Sequence, residues 1–188
     1  MIGALEQRLE GSLSQLQRVQ WDKMEEAVDV SGYVKEAKEA LRANFHRVKD
    51  EMEPTYLTFY MNKVVSLASN KLIHNIYKCK KLPFSAYQFL QMDITEIKET
   101  LLALPKTDQR TYANQKTLQN YQAFVSKSFT KPDNIIKLLQ LPDKEFAERY
   151  EMFMEGASTH DLDKILQVRG AKKSDFNALF KSIEAKTL

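Results

Sequence analysis

Turn-forming residues are scarce in this 188-residue chain, which has 5 glycines and 5 prolines where average usage would supply about 13 and about 9. Closely spaced strands need more turns than that, so an all-β sandwich or barrel is excluded. Cysteine is nearly absent. With Cys79 alone, no internal disulfide can form and no CxxC pair exists to hold zinc, a usage that fits a reducing compartment. No apolar run approaches the ~20 residues of a membrane span. The opening MIGALEQRLEGS carries two acids where a signal peptide is basic and then apolar, so a soluble, cytoplasmic chain is expected. The sequence also lacks GxGxxG, P-loop, GxSxG and HExxH motifs. Nucleotide, hydride and hydrolase mechanisms have no motif support, and neither an enzyme nor a cofactor is expected. The net charge of +3 is too small to mark a nucleic-acid binder by bulk charge.

What is present is helical. Leucine outnumbers valine plus isoleucine 21 to 18, and Lys, Glu, Gln and Met fill much of the remainder, a composition of long helices. Apolar residues recur in steps of three to five at Leu5, Leu9, Leu13, Leu16, Val19 and Met24, which keeps one stripe facing inward. This helix opens at the initiator with no capping Ser, Thr, Asp or Asn before it, and a chain trimmed from a longer protein is expected. After a break at Asp29–Gly32 the rhythm resumes at Val34, Ala37, Leu41, Phe45, Val48 and Met52, with Pro54 expected to close the helix. A heptad-like seam follows at Met61, Val65, Ala68, Leu72, Ile76 and Cys79, stopped by Pro83. Ser85 with Gln88 has capping-box spacing before Tyr87, Leu90, Ile94, Ile97, Leu101 and Leu104, and Pro105 ends that segment. Beyond a polar loop at Lys106 to Arg110, a helix through Leu118, Tyr121, Val125 and Phe129 leads to three short helices opened by Pro132, Pro142 and Thr159. Gly170 reads as a left-handed C-cap and Ser174 as the cap of a last helix carrying Phe176, Leu179, Phe180 and Ile183. No repeat, low-complexity tract or flexible linker intervenes. The expectation is an all-α chain of about nine helices in an elongated stack of antiparallel helical bundles, with long helices at 1–82 and shorter ones at 83–188.

Constellations for catalysis are poor. His46 and Asp50 share a helical face at i, i+4, but two ligands are half a metal site, and a solvated surface pair is the better reading. His160, beside Asp161 and Asp163, falls in a first helical turn where acids favour the dipole. Cys79 is flanked by Lys78, Lys80 and Lys81, neighbours that favour a thiolate, yet its place on the seam predicts a buried, inert thiol. Trp21 suits both an interface anchor and a bundle-core aromatic, and the sequence does not separate these.

Charge is more informative. Residues 1–55 carry 8 basic and 11 acidic side chains, 56–140 carry 12 and 5, 141–163 carry 2 and 7, and 164–188 carry 6 and 2. Residues 56–92 contain no Asp or Glu. At ~100° per residue, Lys63, Lys71, Lys78 and Lys81 project onto one face about 80° wide, opposite the apolar seam. Such a face suits anionic lipid, an acidic partner helix or phosphate, as well as an ordinary solvated role. A second cluster, Lys164, Arg169, Lys172 and Lys173, surrounds the Gly170 turn. There the helix dipole alone favours cations, while four cations at one tight turn also form a compact site for an anion or acidic peptide. The second cluster is the expected partner surface and the first a secondary basic face.

Several residues carry a resemblance. Lys78-Cys79-Lys80, then Leu90, Met92, Asp93, Ile97-Lys98, Leu101-Leu102 and Leu104-Pro105, together with Lys131, Ile136-Lys137 and Ile165-Leu166-Gln167-Val168-Arg169-Gly170-Ala171-Lys172, resemble the C-terminal region of the vacuolar-protein-sorting subunit fifty-three of the Golgi-associated retrograde protein (GARP) complex. The later block has the family's Ile-Leu, basic residue, Gly, apolar residue and Lys in order; Ala171 is smaller than the apolar residue usual there. The resemblance covers roughly residues 70–105 and 125–176. It implies a stack of helical bundles in a multisubunit tether that captures endosome-derived vesicles at the trans-Golgi network, peripheral to Golgi and endosomal membranes. Its implied partners are the other tether subunits, SNAREs, small GTPases and anionic membrane, with no nucleic acid. Other readings are a subunit of a related tether such as exocyst and a helical nucleic-acid-binding domain. The latter is weakened by Lys outnumbering Arg 21 to 7, since base readout favours Arg, Asn and Gln.

Overall fold

A computed structural model describes residues 2–21, 29–107, 114–156 and 158–187. Among them there is no strand, and eight α-helices follow one another: α1 (Ile2–Leu13), α2 (Gly32–Val48), α3 (Pro54–Lys78), α4 (Phe84–Ala103), α5 (Gln115–Gln140), α6 (Asp143–Phe153), α7 (Thr159–Arg169) and α8 (Asn177–Thr187). Short 3₁₀ turns at Ser14–Arg18, Leu104–Thr107 and Lys173–Phe176 account for the remaining helical segments. The all-α expectation holds. Met24 and the polar residues 108–110 lie outside the described residues.

The apolar seams are where the spacing puts them. Leu57, Met61, Val64, Val65, Ala68, Leu72 and Ile76 of α3 are buried, as are Val34, Ala37, Leu41, Phe45 and Val48 of α2. One continuous core runs from Leu5 to Ile183. Helix α1 packs on α2 and α3, α2 on α4, α4 on α5, and α3 on α5 and α7; α6 and α7 pack on α5, and α8 on α7. Helices α3 and α4 therefore bury two faces each, which explains why α4 hides Ala86, Phe89 and Asp93 besides its predicted seam.

Local rules fail at four positions. Helix α2 stops at Val48, so Pro54 does not close it but opens α3, where the missing N–H costs nothing. Helix α4 begins at Phe84 after Pro83 with no side-chain cap, so Ser85 and Gln88 form no capping box. Ser174 lies in a 3₁₀ turn and its hydroxyl donates to Asp175 instead of capping α8.

The fourth failure is Pro132, which lies inside α5 and does not open a new helix. A proline removes the N–H that would bond the carbonyl four residues back, here Ser128. Ser69 Oγ on α3 donates to that Ser128 oxygen at 2.7 Å. A hydroxyl from a neighbouring helix thus satisfies the orphaned acceptor, and Pro132 is buried with α5 continuous through it.

Candidate functional site

Of the two basic clusters of the sequence, the second surrounds the end of α7, and Lys81 of the first joins it there. Ser158 and Asp161 open this helix with reciprocal capping-box bonds. At its other end Gly170 sits at φ 74°, ψ 17°. Its N–H donates to the Gln167 carbonyl at 3.1 Å and that of Ala171 to Leu166 at 3.0 Å, the Schellman arrangement that satisfies terminal carbonyls. The α3–α4 link supplies two more donors: Lys81 N–H to Gln167 O at 3.1 Å and Leu82 N–H to Val168 O at 2.8 Å. Lys81 itself adopts φ 51°. A Cβ at Gly170 would stand 2.9 Å from Lys81 Cγ and 3.4 Å from its Cα, so only glycine lets the link approach this closely.

Arg169 points inward. Its guanidinium donates to Leu138 O at 3.0 Å and to Asp143 Oδ1 at 2.6 Å, and lies 4.9 Å above the Phe146 ring. Its side chain is 11% exposed. It caps the C-terminal carbonyls of α5 and ties them to the start of α6, so its charge is already engaged. Lys172 and Lys173 are exposed and Lys164 is half-buried; the Lys173 ammonium rests 4.4 Å from the Phe180 ring centroid. Lys164 and Lys172 make no ion pair among the described residues.

The long-helix face is divided. Lys71 bridges Glu6 at 3.1 Å and Glu10 at 3.0 Å on α1, and Lys78 approaches Glu10 at 3.7 Å. The hydrogen bond from Lys71 holds the Glu10 carboxyl below its ordinary value, and the bonds to Glu10 and Glu6 raise Lys71. Lys63 is exposed with no ion pair among the described residues. Since α3 ends at Lys78, Lys81 does not follow the helical projection; it joins the α7 turn, with exposed Lys80 beside it.

Beside that turn lies a cleft of about 640 Å³ between the start of α4, the α5–α6 link and the end of α7. Leu82, Tyr87, Leu139, Leu141 and Ala171 are among its lining residues. Phe84 is 66% exposed, with its ring edge-on to Tyr87 at 5.8 Å between centroids.

Elsewhere, Cys79 is buried and its thiol is pushed up to about 12 by burial, the inert thiol expected from the seam. Trp21 is a core residue, 6.3 Å from Phe89. His46, Asp50 and His160 are exposed, and no group of three or more metal-ligating side chains forms among the described residues. Nor is any helix among them long and apolar enough to cross a membrane. Two polar centres have partners that the sequence does not reveal. Asp93, 1% exposed, accepts from Ser31 N–H (2.9 Å), Ser31 Oγ (2.7 Å) and Tyr33 Oη (2.6 Å), tying the start of α2 to α4. Burial raises its carboxyl despite these bonds. Asp161 accepts from Tyr77 Oη at 2.9 Å and Lys131 at 2.8 Å; burial opposes its charge, but these donors prevail and hold it below the ordinary range.

Comparison with known sequences bears on this same region. The family described as vacuolar protein sorting-associated protein 53 C-terminus matches residues 88–171, from the first turns of α4 to the Gly170 turn. The chain is 25% identical over 175 residues to vacuolar protein sorting-associated protein 53 A of Arabidopsis thaliana, covering 93% of this chain and 21% of that protein. It is 21% identical over 192 residues to vacuolar protein sorting-associated protein 53 homolog of Caenorhabditis elegans, covering 99% and 24%. This chain thus spans between a fifth and a quarter of the length of those relatives. A match to tRNA pseudouridine synthase A of Phytoplasma mali (strain AT), 31% identical over 94 residues, covers 47% of this chain and 38% of that protein. No solved structure matches. The resemblance read from Leu90 to Ala171 is borne out as a similarity: residues 88–171 match the C-terminal region of the vacuolar protein sorting-associated protein 53 family, and two proteins of that name align over most of the chain.

Proposed function

We propose that this chain is a non-catalytic helical module of a vesicle-tethering complex subunit of the GARP type, acting in endosome-to-trans-Golgi retrograde transport and peripheral to those membranes. The observation that carries the reading is the agreement of the family match with two relatives that extend over nearly the whole chain. Its partners are other subunits of the tether, with SNAREs, small GTPases and anionic membrane as further contacts. The contact surface is the α7 turn, where Lys164, Lys172 and Lys173 are joined by Lys80 and Lys81, while Arg169 positions the turn from within. Residues 1–82 and 83–188 act as two bundles joined through α3 and α4.

Capture from cytosolic and membrane extracts tests this reading. Tether subunits are expected among the proteins captured. The double reversal Lys172→Glu, Lys173→Glu should abolish partner or vesicle association with helicity intact, since exposed charges rarely cost more than about 0.5 kcal/mol each, and adding the half-buried Lys164→Glu should deepen the loss; Lys63→Glu should matter less. Failure to capture any tether subunit, with RNA bound instead along a steep salt slope, would favour the nucleic-acid reading. The partial match to the tRNA enzyme, under half of either chain, is the one observation on that side.

A further inference from the structure

We propose that the cleft beside the α7 turn docks a short acidic peptide segment of a partner protein, seated by one aromatic or branched aliphatic anchor. The inference rests on the tethering reading and identifies the ligand chemistry of its surface.

The cleft combines apolar walls with the polar groups of Gln140, Asp143 and Arg169 and is positive at one edge. Leu82, Tyr87, Leu139, Leu141 and Ala171 give it an apolar lining, and Phe84, 66% exposed, offers an open ring supported edge-on by Tyr87. A volume of about 640 Å³ lies within the range of small binding pockets and accommodates one large side chain with its flanking backbone. Asp143 is the only acid lining it, and Arg169 already neutralises that carboxylate at 2.6 Å. Lys80 and Lys81 on one side of the turn and Lys172 on the other are exposed and have no ion pair among the described residues. Their charge selects an acidic sequence around the anchor. The walls are fixed in advance by the bonds of Lys81 and Leu82 to α7 and by Arg169 between α5 and α6, so little ordering cost falls on binding. A bilayer would meet the rim lysines and the exposed Phe84 ring but not Tyr87 and Leu139, which line the cleft and are almost fully buried. That recess favours a peptide over a membrane.

The probe is an array of synthetic peptides with Asp and Glu at the flanks and Phe, Tyr, Trp, Leu, Ile or Ala at the centre, followed by fluorescence anisotropy on the chain and its variants. Peptides with an apolar centre should bind, and alanine-centred ones about tenfold more weakly or not at all. Phe84→Ala should cost about tenfold, the scale of a truncated interface anchor, and Lys81→Glu with Lys172→Glu at least as much. Met152→Ala, which removes an exposed side chain lining a different cleft, should change nothing. Equal binding of alanine-centred and Phe-centred peptides, wild-type affinity in Phe84→Ala, or binding only to phosphatidylserine vesicles and no peptide would each overturn the proposal. Capture of tether subunits by the wild-type chain separates the two levels. If capture succeeds and no peptide binds, the cleft proposal alone falls; if capture fails, the tethering reading falls.

Discussion

Gly170→Val tests the junction that holds the basic turn. At φ 74° a residue with a Cβ incurs roughly 1–2 kcal/mol, and β-branching adds to it. The new Cβ would also stand 2.9 Å from Lys81 Cγ, 3.3 Å from its Cβ and 3.4 Å from its Cα. Lys81 must withdraw, which strains the bonds Lys81 N–H to Gln167 O and Leu82 N–H to Val168 O, each contributing about 0.5–1.5 kcal/mol. Partial loss of both brings the total to about 2–4 kcal/mol, or a fall in Tm of about 5–15 °C for a chain of this length. Calorimetry or thermal circular dichroism measures it. A cycle with Gly170→Ala and Lys81→Gly divides the two causes: Lys81→Gly removes the Cβ and Cγ contacts but leaves residue 170 at positive φ. The cost of Gly170→Ala should therefore shrink by about 1 kcal/mol in the Lys81→Gly background without vanishing. An unchanged Tm in Gly170→Val, or no coupling in the cycle, would refute the close-approach argument.

Three further outcomes are expected. Ser69→Ala should destabilise by about 1–3 kcal/mol because it leaves the Ser128 carbonyl unpaired, and by clearly less when combined with Pro132→Ala, which restores a local N–H; urea denaturation of the four proteins gives the coupling. The Asp93 carboxyl is raised by burial, so the folded state holds its proton more tightly than the unfolded one. Its contribution is fully present below the ordinary carboxyl range and is lost as pH rises through the elevated folded value, so the stability of wild type relative to Asp93→Asn should improve on acidification; a difference that worsens toward acid would contradict the sign. Arg169→Lys should lower stability by about 2 kcal/mol, since an ammonium cannot span the Leu138 carbonyl and Asp143 together, and a variant melting like wild type would show that this fork carries no stability.

What the sequence discloses and what it hides divide along a physical line. The seams of α2, α3 and α4 were legible because helical period and burial are both local consequences of residue order. Gly170 was legible because its conformational demand belongs to glycine itself. Pro132 was misread as a helix start because the donor that rescues its helix, Ser69, belongs to another helix. Arg169 counted as a surface cation until its partners at Leu138 and Asp143 were known, and those follow from the packing of α7 against the α5–α6 link. Asp93 did leave a trace, as a lone acid among Phe89, Leu90, Ile94 and Ile97 on a face that is otherwise apolar. Ser158 and Asp161 have capping-box spacing in the sequence, and the same carboxylate that favours the helix dipole closes that box.

The two basic clusters illustrate why counting charges along a chain and placing them in space give different surfaces. Of the eight cations named from the sequence, Lys71 and Lys78 are drawn to acids on α1 and Arg169 is turned into the fold. Lys81, assigned to the long helix, instead stands against Gly170. Its backbone forms the bond that completes the α7 cap, while its ammonium remains without an ion pair among the described residues. The residue that builds the turn therefore also contributes charge to it. Under the proposed docking, Lys81→Gln, which keeps a long side chain and its N–H while removing only the charge, should weaken acidic-peptide binding in anisotropy and leave Tm unchanged; a loss of Tm with unchanged affinity would show that Lys81 acts through the main chain alone.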